Sequence, residues 1–545
     1  MLSAKPSSIP YRIIGVILIS LMACVPIFAV LSALLTNDFE SWARLWQTTL
    51  PKYIMNTICL MVLVGSMTAF VGTLTAWCVT AFDFPFRRTM SWLLILPLSA
   101  PAYIIAYLYT DMFEFYGPVQ TALRGIMGWQ GGDYWFPAVR TLFGASLMLS
   151  LVLYPYVYLL ARAAFLYQSS GQWHAARSLG LSPTRAFIRV ALPAARPAIA
   201  GGLALVLMET LADFGVADYF AIPTFSTGIF RNWLALGDKS AALKLAAMML
   251  LMVFLLVMLE SFSRRGSAVT HGKTTGQSGR IQLSRKRSFT VLLTCFMPVL
   301  FGFVIPVITL CIYAFSNGDS HSSADFIGYM FNSLSTASIV AVIAVTLAVF
   351  LAYARRTNSN PALRVTLRLA TLGYALPGAL LAVGLLAPLG VFDQGLSRFA
   401  RDTFGWNSGL ILTGTTIALV YALTIRFLTV SFNSVTGGFD KIPPAMDSAA
   451  RSLGAKPMRL VRRIHVPLLR SSVIGAAILV FIDVMRELPA TLILRPFNFE
   501  TLATRVYWLA NDERLSEAST AALLIILIGI IPILFLNKQS LGDLD

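Results

Sequence analysis

The string AARSLG occurs twice in this chain, at Ala175–Gly180 and at Ala449–Gly454, an offset of 274 residues. The same offset continues without a gap as far as Asp238 and Asp512. On the way it pairs Pro183 with Pro457, Arg185 with Arg459, Pro193 with Pro467, Phe225 with Phe499 and Arg231 with Arg505. Chance does not hold one register over such a length, so the chain contains an internal repeat.

The composition around this repeat is that of a membrane protein. Hydrophobic residues make up 57% of the 545 residues and charged residues 12%, whereas soluble domains carry about 25% charged residues. The net charge of +17 is spread over short segments between apolar runs. That pattern is typical of cytoplasmic loops that set topology, and it argues against nucleic-acid binding.

Runs of about 20 apolar residues, the length that crosses a bilayer, predict twelve spans. They lie near 13–35, 56–80, 90–112, 142–165, 195–217, 242–262, 289–315, 332–354, 367–389, 410–432, 471–493 and 519–536, with Pro97 and Pro377 inside spans. We expect an all-α polytopic membrane protein made of two tandem six-helix repeats in parallel orientation. The predicted domains are a first repeat (1–262), a linker (263–288) and a second repeat (289–545). Basic residues predict that both termini and the linker are cytoplasmic.

The repeated string belongs to a longer motif in two loops, at about 166–194 and 433–468, which follow the fourth span of each repeat. The first copy has His174, Ala175, Ala176, Gly180, Val190, Leu192 and Pro193, and the second has Ser448, Ala449, Ala450, Gly454, Ile464, Val466 and Pro467. Small alanines permit close approach to a partner, and glycine permits a sharp turn. This spacing resembles the EAA motif of permease subunits of binding-protein-dependent ABC importers. Both copies depart from it where the family has glutamate, here His174 and Ser448.

The resemblance implies that each loop forms a short coupling helix, which docks on a separate ATPase. It implies two copies of a cytoplasmic ABC ATPase that uses ATP and magnesium, a periplasmic substrate-binding protein, and a lipid bilayer that is the bacterial inner membrane. No cofactor is expected on this chain. Two stretches, Glu209–Asp238 and Asp483–Tyr507, are similar to ferric-iron importer permeases, which implies Fe3+ as the substrate. Thiamine, polyamine and phosphonate importers share the motif, so the substrate stays open.

Four acidic residues lie in predicted spans at equivalent positions of the two repeats. Glu209 and Asp213 are four residues apart, and so are Asp483 and Glu487, so we expect each pair on one helix face. Charges inside a membrane usually face the bundle interior. These acids are therefore candidates for an acidic translocation path for a cation. A structural role, such as pairing with Arg486, is an equal alternative.

Other chemistries find little support in the sequence. The five cysteines and four histidines are scattered and lack metal-ligand spacing, which favours packing roles. Gly272-Lys273-Thr274 imitates the end of a phosphate-binding loop, but Ser267 stands where that motif needs glycine. No catalytic constellation is present, so we expect no enzyme. A secondary transporter is the more remote alternative, and copurification of an ATPase would exclude it.

Overall fold

The computed structural model describes residues 9–35, 39–167, 178–264, 281–317, 323–358, 360–406 and 409–541. Almost all of this part of the chain is helical. Two strands of two residues, Phe82–Asp83 and Ile281–Gln282, pair in parallel. The predicted all-α class is confirmed.

The helices of the first repeat alternate between long apolar segments and short connecting segments. Their bounds are Ile9–Ser32, Phe39–Thr48, Leu50–Ala81, Arg87–Leu93, Leu96–Ser99 (a 3-10 turn), Ala102–Phe113, Pro118–Met127, Leu142–Tyr167, Pro183–Ala186, Phe187–Ala191 (a π-helix), Leu192–Ala212, Gly215–Tyr219, Phe225–Phe230, Arg231–Ala235 (a π-helix) and Lys239–Arg264.

The second repeat is also built from long apolar helices and short connecting segments. Its helices are Arg285–Val299, Leu300–Val304 (a π-helix), Ile305–Asn317, Ser323–Thr357, Pro361–Ala370, Gly373–Ala375 (a 3-10 turn), Gly378–Phe404, Thr416–Asp440, Pro444–Ser452, Pro457–Leu460, Val461–His465 (a π-helix), Val466–Met485, Pro489–Leu494, Leu502–Asn511 and Leu515–Leu541.

In the described residues, 11 helices are long and apolar enough to span a membrane, and one bent pair raises the number to 12. The expected number of spans is confirmed. The bent pair, Arg87–Ser99 with Ala102–Met127, turns by 88° at the predicted third span. Pro97 lies in the 3-10 turn of this break, and Pro377 is the N-cap of Gly378–Phe404. Both prolines were predicted inside spans but lie where helices break, because proline cannot donate the helical hydrogen bond.

Two spans end earlier than their apolar composition predicts. The fifth span ends at Ala212 rather than near residue 217, and the eleventh ends at Met485 rather than near residue 493. Short helices, Gly215–Tyr219 and Pro489–Leu494, continue each chain after the break.

The chain divides into two compact units whose boundaries differ from those of the sequence repeats. One unit contains residues 1–43, 229–248 and 321–505, and the other contains 44–228, 249–320 and 506–545. The first span therefore belongs to a unit built mainly from the second repeat. There a Cβ on Gly384 would overlap Pro26, and a Cβ on Gly15 would overlap Phe350. These glycines allow the first span to pack closely.

The other unit contains most of the first repeat together with the seventh and the last spans. Its long helices Leu50–Ala81, Leu142–Tyr167 and Leu192–Ala212 pack on one another. A Cβ at Gly72 or at Gly202 would overlap the backbone of Leu142–Tyr167 near Val157. Glycine lets the helix backbones approach there, as is common between membrane helices.

Candidate functional site: duplicated loops and acidic helix breaks

The loop of the second repeat forms a short helix, Pro444–Ser452, that contains Ser448, Ala449 and Ala450. The helix ends at Ser452 and is followed by Leu453 and by Gly454, whose φ is +74°. Two hydrogen bonds close the end, from the Gly454 N–H to the Arg451 carbonyl at 2.9 Å and from the Ala455 N–H to the Ala450 carbonyl at 3.0 Å. This pattern is a Schellman motif, which favours glycine at the left-handed position. Ser448 and Ala449 are exposed, whereas Ala450 is buried.

The loop of the first repeat has a glycine with positive φ at the equivalent position. Gly180 has a φ of +81°, and a helix begins at Pro183 as another does at Pro457. The leucine before each glycine is strongly exposed, Leu179 at 84% and Leu453 at 88%. His174, Ala175 and Ala176 lie outside the described residues. The role of these loops in coupling to an ATPase stays a prediction.

A π-helix precedes the proline at the end of each motif. The segments Phe187–Ala191 and Val461–His465 differ by the repeat offset, and the next helices begin with Leu192-Pro193 and Val466-Pro467. A proline ring would clash with the carbonyl four residues earlier, which lies within the π segment. The wider π turn makes room for the ring. The motif proline thus sets the local geometry where the loop enters the membrane helix.

The second loop also carries a buried polar network that the sequence did not reveal. Oδ1 of Asp447 lies 2.9 Å from Nε2 of His465, and Oδ2 accepts a hydrogen bond from Nε of Arg356 at 2.7 Å. The Arg356 guanidinium also donates to the carbonyls of Phe439 and Ile442. Asp447 is 6% exposed and His465 is fully buried. The network joins the loop helix to two spans of its unit.

The histidines were predicted to be packing residues, and for His465 this is incomplete because it is bound to Asp447. The sequence contained one weak signal for this network, because Asp447 is an acidic residue directly before Ser448 of the motif. The first repeat gives no support for a network, because the counterpart of His465 is Ala191.

The four acids of the predicted path do not share the geometry expected from the sequence. Asp213 is the C-cap of the helix that ends at Ala212, and Glu487 follows the helix that ends at Met485. The expectation that each pair occupies one helix face is therefore wrong. The physical reason is capping. Asp213 accepts the Ala217 N–H at 3.0 Å and Glu487 accepts the Thr491 N–H at 3.1 Å, so each acid binds the short helix after the break.

The two acids of the second repeat are matched by arginines. Glu487 is buried and accepts a hydrogen bond from Nη1 of Arg426 at 3.1 Å. A Cβ on Gly378 would overlap both side chains. Asp483 forms an ion pair with Arg486, as the structural alternative predicted. Their charges are compensated within the same unit.

The acids of the first repeat have a different environment. Glu209 lies in the last turns of its helix, and Asp213 follows the break; both are partly exposed. The charged side chains that act on Asp213 include those of Glu209 and Asp218, which are also acidic. Among the described residues, no group of three or more His, Cys, Asp or Glu side chains is arranged to hold a metal ion.

A multi-pass helical bundle with two matching loops and two matching helix breaks is the architecture of a transport permease. The family model described as "Binding-protein-dependent transport system inner membrane component" matches residues 68–266 and again residues 344–540. The chain belongs to this family, as a fusion of two permease repeats, and is a multi-pass protein of the inner membrane.

Individual relatives agree with this assignment. The chain is 25% identical, over 96% of its length and 97% of the relative's, to the Fe(3+)-transport system permease protein FbpB 2 of Haemophilus influenzae. It is 23% identical, over 90% of its length and 88% of the relative's, to the probable ABC transporter permease protein y4fN of Sinorhizobium fredii. A 25% identity to the sulfate transport system permease protein CysT of Escherichia coli covers 37% of the chain and 72% of that relative.

Proposed function

We propose that this chain is the membrane subunit of an ATP-driven importer of ferric iron. Substrate would arrive on a periplasmic binding protein, and two copies of a separate cytoplasmic ATPase would drive alternating access. The observation that carries the proposal is the duplicated loop with its glycine turn, in a chain that aligns over 96% of its length with a ferric-iron permease.

The exposed surface of the loops supports an ATPase partner. Leu179 and Leu453 project beside the two glycine turns at equivalent positions. A single exposed leucine is ordinary, but two at the same place of a repeat indicate a shared use. Ser448 and Ala449 have small side chains on the adjoining helix, so the groove of a partner can approach the helix backbone closely. One ATPase copy per loop accounts for the duplication.

Charge supports a cation over an anion as the substrate. Asp213 lies in an acidic environment, and a sulfate or a phosphonate would be repelled there. Fe3+ favours hard oxygen ligands such as carboxylates. Ferric iron is therefore preferred over the anionic substrates of relatives that share the coupling motif.

The proposed orientation places both loops and both termini in the cytoplasm, because basic residues concentrate on that side. The second loop has Arg451, Lys456, Arg459, Arg462 and Arg463 close together. The acidic path of Glu209, Asp213, Asp483 and Glu487 remains part of the proposal. The acids of the first repeat are its main members, since Glu487 and Asp483 already have arginine partners.

The test is uptake into proteoliposomes that contain the chain and its ATPase, with ATP inside and the iron-loaded binding protein outside. We expect radiolabelled iron to accumulate with ATP but not with a non-hydrolysable analogue. Accumulation driven by a proton gradient without the ATPase would indicate a secondary transporter and contradict the proposal. ATP-dependent uptake of sulfate but not of iron would contradict ferric iron as the substrate and support the ATP-driven mechanism.

A further inference from the structure

Aspartate and tyrosine oxygens gather beside the helix break of the first repeat, all within one compact unit. Asp213 follows the span, and Asp218 lies in the next short helix, Gly215–Tyr219. Tyr507 donates a hydrogen bond to Oδ2 of Asp218 at 2.8 Å. The ring of Tyr107 packs against that of Tyr219, with centroids 4.4 Å apart.

The hydroxyl of Tyr107 is the unusual member of this cluster. Tyr107 is fully buried, and its hydroxyl makes no hydrogen bond to any residue that the structure describes. Its ring contacts that of Tyr219, the residue after Asp218, and its electrostatic neighbours are Tyr103, Tyr507, Asp218 and Asp213, so it belongs to the same cluster. A buried hydroxyl without a partner is costly, by roughly 1–3 kcal/mol. A ligand in the cluster would remove that cost.

Among the described residues, neither Asp213 nor Asp218 forms an ion pair, and Arg140, which lies over the Tyr219 ring, is paired with Glu114. The charged neighbours of Asp213 include Glu209 and Asp218, and the hydrogen-bond partner of Asp218 is the neutral Tyr507. By contrast, the equivalent acid of the other repeat, Glu487, is paired with Arg426. Like charges held together in a partly buried place favour the binding of a cation.

The second repeat serves as an internal control for what the fold requires. At the repeat offset, the counterpart of Asp218 is Leu492. Counted from the proline N-caps Pro101 and Pro377, the counterpart of Tyr107 is Val383. Both counterparts are buried. Apolar side chains thus fill these positions in the same type of helix break, so packing does not require the polar groups of the first repeat.

We propose that Tyr107, Asp213, Asp218 and Tyr507 form a site that holds a hard trivalent cation, ferric iron in this importer, during its passage. Carboxylate and phenolate oxygens are hard ligands that suit such an ion. Each phenol that binds iron exchanges its O–H bond for an Fe–O bond and releases the proton to water, with no change in oxidation state. The assignment of iron rests on the proposed function, whereas the preference for a hard cation rests on the cluster.

The test uses the full-length chain, purified in detergent and titrated with ferric nitrilotriacetate. Iron(III) bound to tyrosinate gives a visible charge-transfer band, which reports tyrosine ligation directly. We expect the band in the wild type, and at least a tenfold weaker iron affinity in Tyr107→Phe and in Asp218→Asn. Tyr313→Phe is the matched control, since Tyr313 also donates to an aspartate, Asp111, at 2.6 Å, outside the cluster.

Two outcomes would overturn the site: no band in the folded wild type, or the same band and affinity in Tyr107→Phe and Tyr507→Phe as in the wild type. Helical circular dichroism confirms that each variant is folded. Uptake in proteoliposomes separates the two proposals. If the variants show the same ATP-dependent iron uptake as the wild type, the site is wrong but the transport function stands. If the tyrosinate band appears but ATP-dependent iron uptake does not, the proposed transport function is wrong and the binding site stands.

Discussion

Oδ1 of Asp447 lies 2.9 Å from Nε2 of the buried His465, which fixes the helix of the second loop to the π segment at the start of a span. Arg356 binds the other carboxylate oxygen from a second span. Although burial would raise the pKa of Asp447, the hydrogen bonds from Arg356 and His465 hold this pKa below its usual range. Movement of the loop helix is thereby connected to two membrane helices.

Replacing this carboxylate should loosen the loop. In Asp447→Asn the Arg356 guanidinium loses its ion pair while it stays largely buried, a change that costs about 3 kcal/mol. We expect a lower melting temperature in detergent, and iron uptake that falls more than membrane abundance does. Asp440→Asn is the control, because Asp440 is exposed nearby. Equal melting temperatures for both variants and the wild type would contradict this role.

The same ion pair predicts how stability depends on pH. Because the folded-state pKa of Asp447 lies below an unfolded value of about 3.9, the ionised carboxylate stabilises the fold at every pH above that value. This contribution is lost as the pH falls through the folded pKa. The gap in melting temperature between wild type and Asp447→Asn should therefore be widest near neutral pH and narrow below about pH 4. A gap that stays constant into acid would argue against the ionised pair.

The left-handed turn at Gly454 should be specific for residues that tolerate positive φ. A Cβ there would meet no atom within 4 Å, so any penalty comes from the backbone, about 1–2 kcal/mol for most residues. We expect Gly454→Val to impair uptake severely and Gly454→Asn mildly, with normal membrane levels for both. Gly437→Val is a control at another open position without positive φ. Equal uptake by the two Gly454 variants would exclude the turn as the cause.

Substitutions of the acids at the two helix breaks should have different effects. Asp213→Asn removes a carboxylate that pairs with no arginine in the described part of the chain, so we expect slower iron uptake at normal abundance. Glu487→Gln leaves Arg426 buried without its ion pair, so we expect lower abundance as well. Uptake and abundance are measured on the same cells. Normal uptake in Asp213→Asn at normal abundance would remove this residue from the proposed path.

The repeat, the number of spans and the glycine turns could be predicted from the sequence, because each is a local pattern. The early ends of two spans could not, since apolar composition continues beyond Ala212 and Met485 into the short helices that follow. Hydropathy measures burial in lipid and does not detect a break in hydrogen bonding.

The contacts of individual polar residues could not be predicted from the sequence either. Arg356 and Asp447 are 91 residues apart, and the first repeat has no equivalent pair to reveal them. Tyr107 and Tyr507 come from distant parts of the chain and meet only through the fold. The first span belongs to the first repeat in sequence but packs in the compact unit built mainly from the second repeat. This arrangement depends on tertiary packing, which local sequence patterns do not reveal.

Photo-crosslinking from the loop tip tests whether the duplicated loops bind an ATPase. Leu453 is replaced by p-benzoylphenylalanine in the full chain and irradiated in membranes that contain the candidate ATPase. The control replaces Phe404, which is 73% exposed and separated from Leu453 by the span Thr416–Asp440. We expect an adduct with the ATPase from position 453 and none from position 404. An adduct from position 404 alone, or no ATPase adduct from either while the complex copurifies, would contradict this expectation.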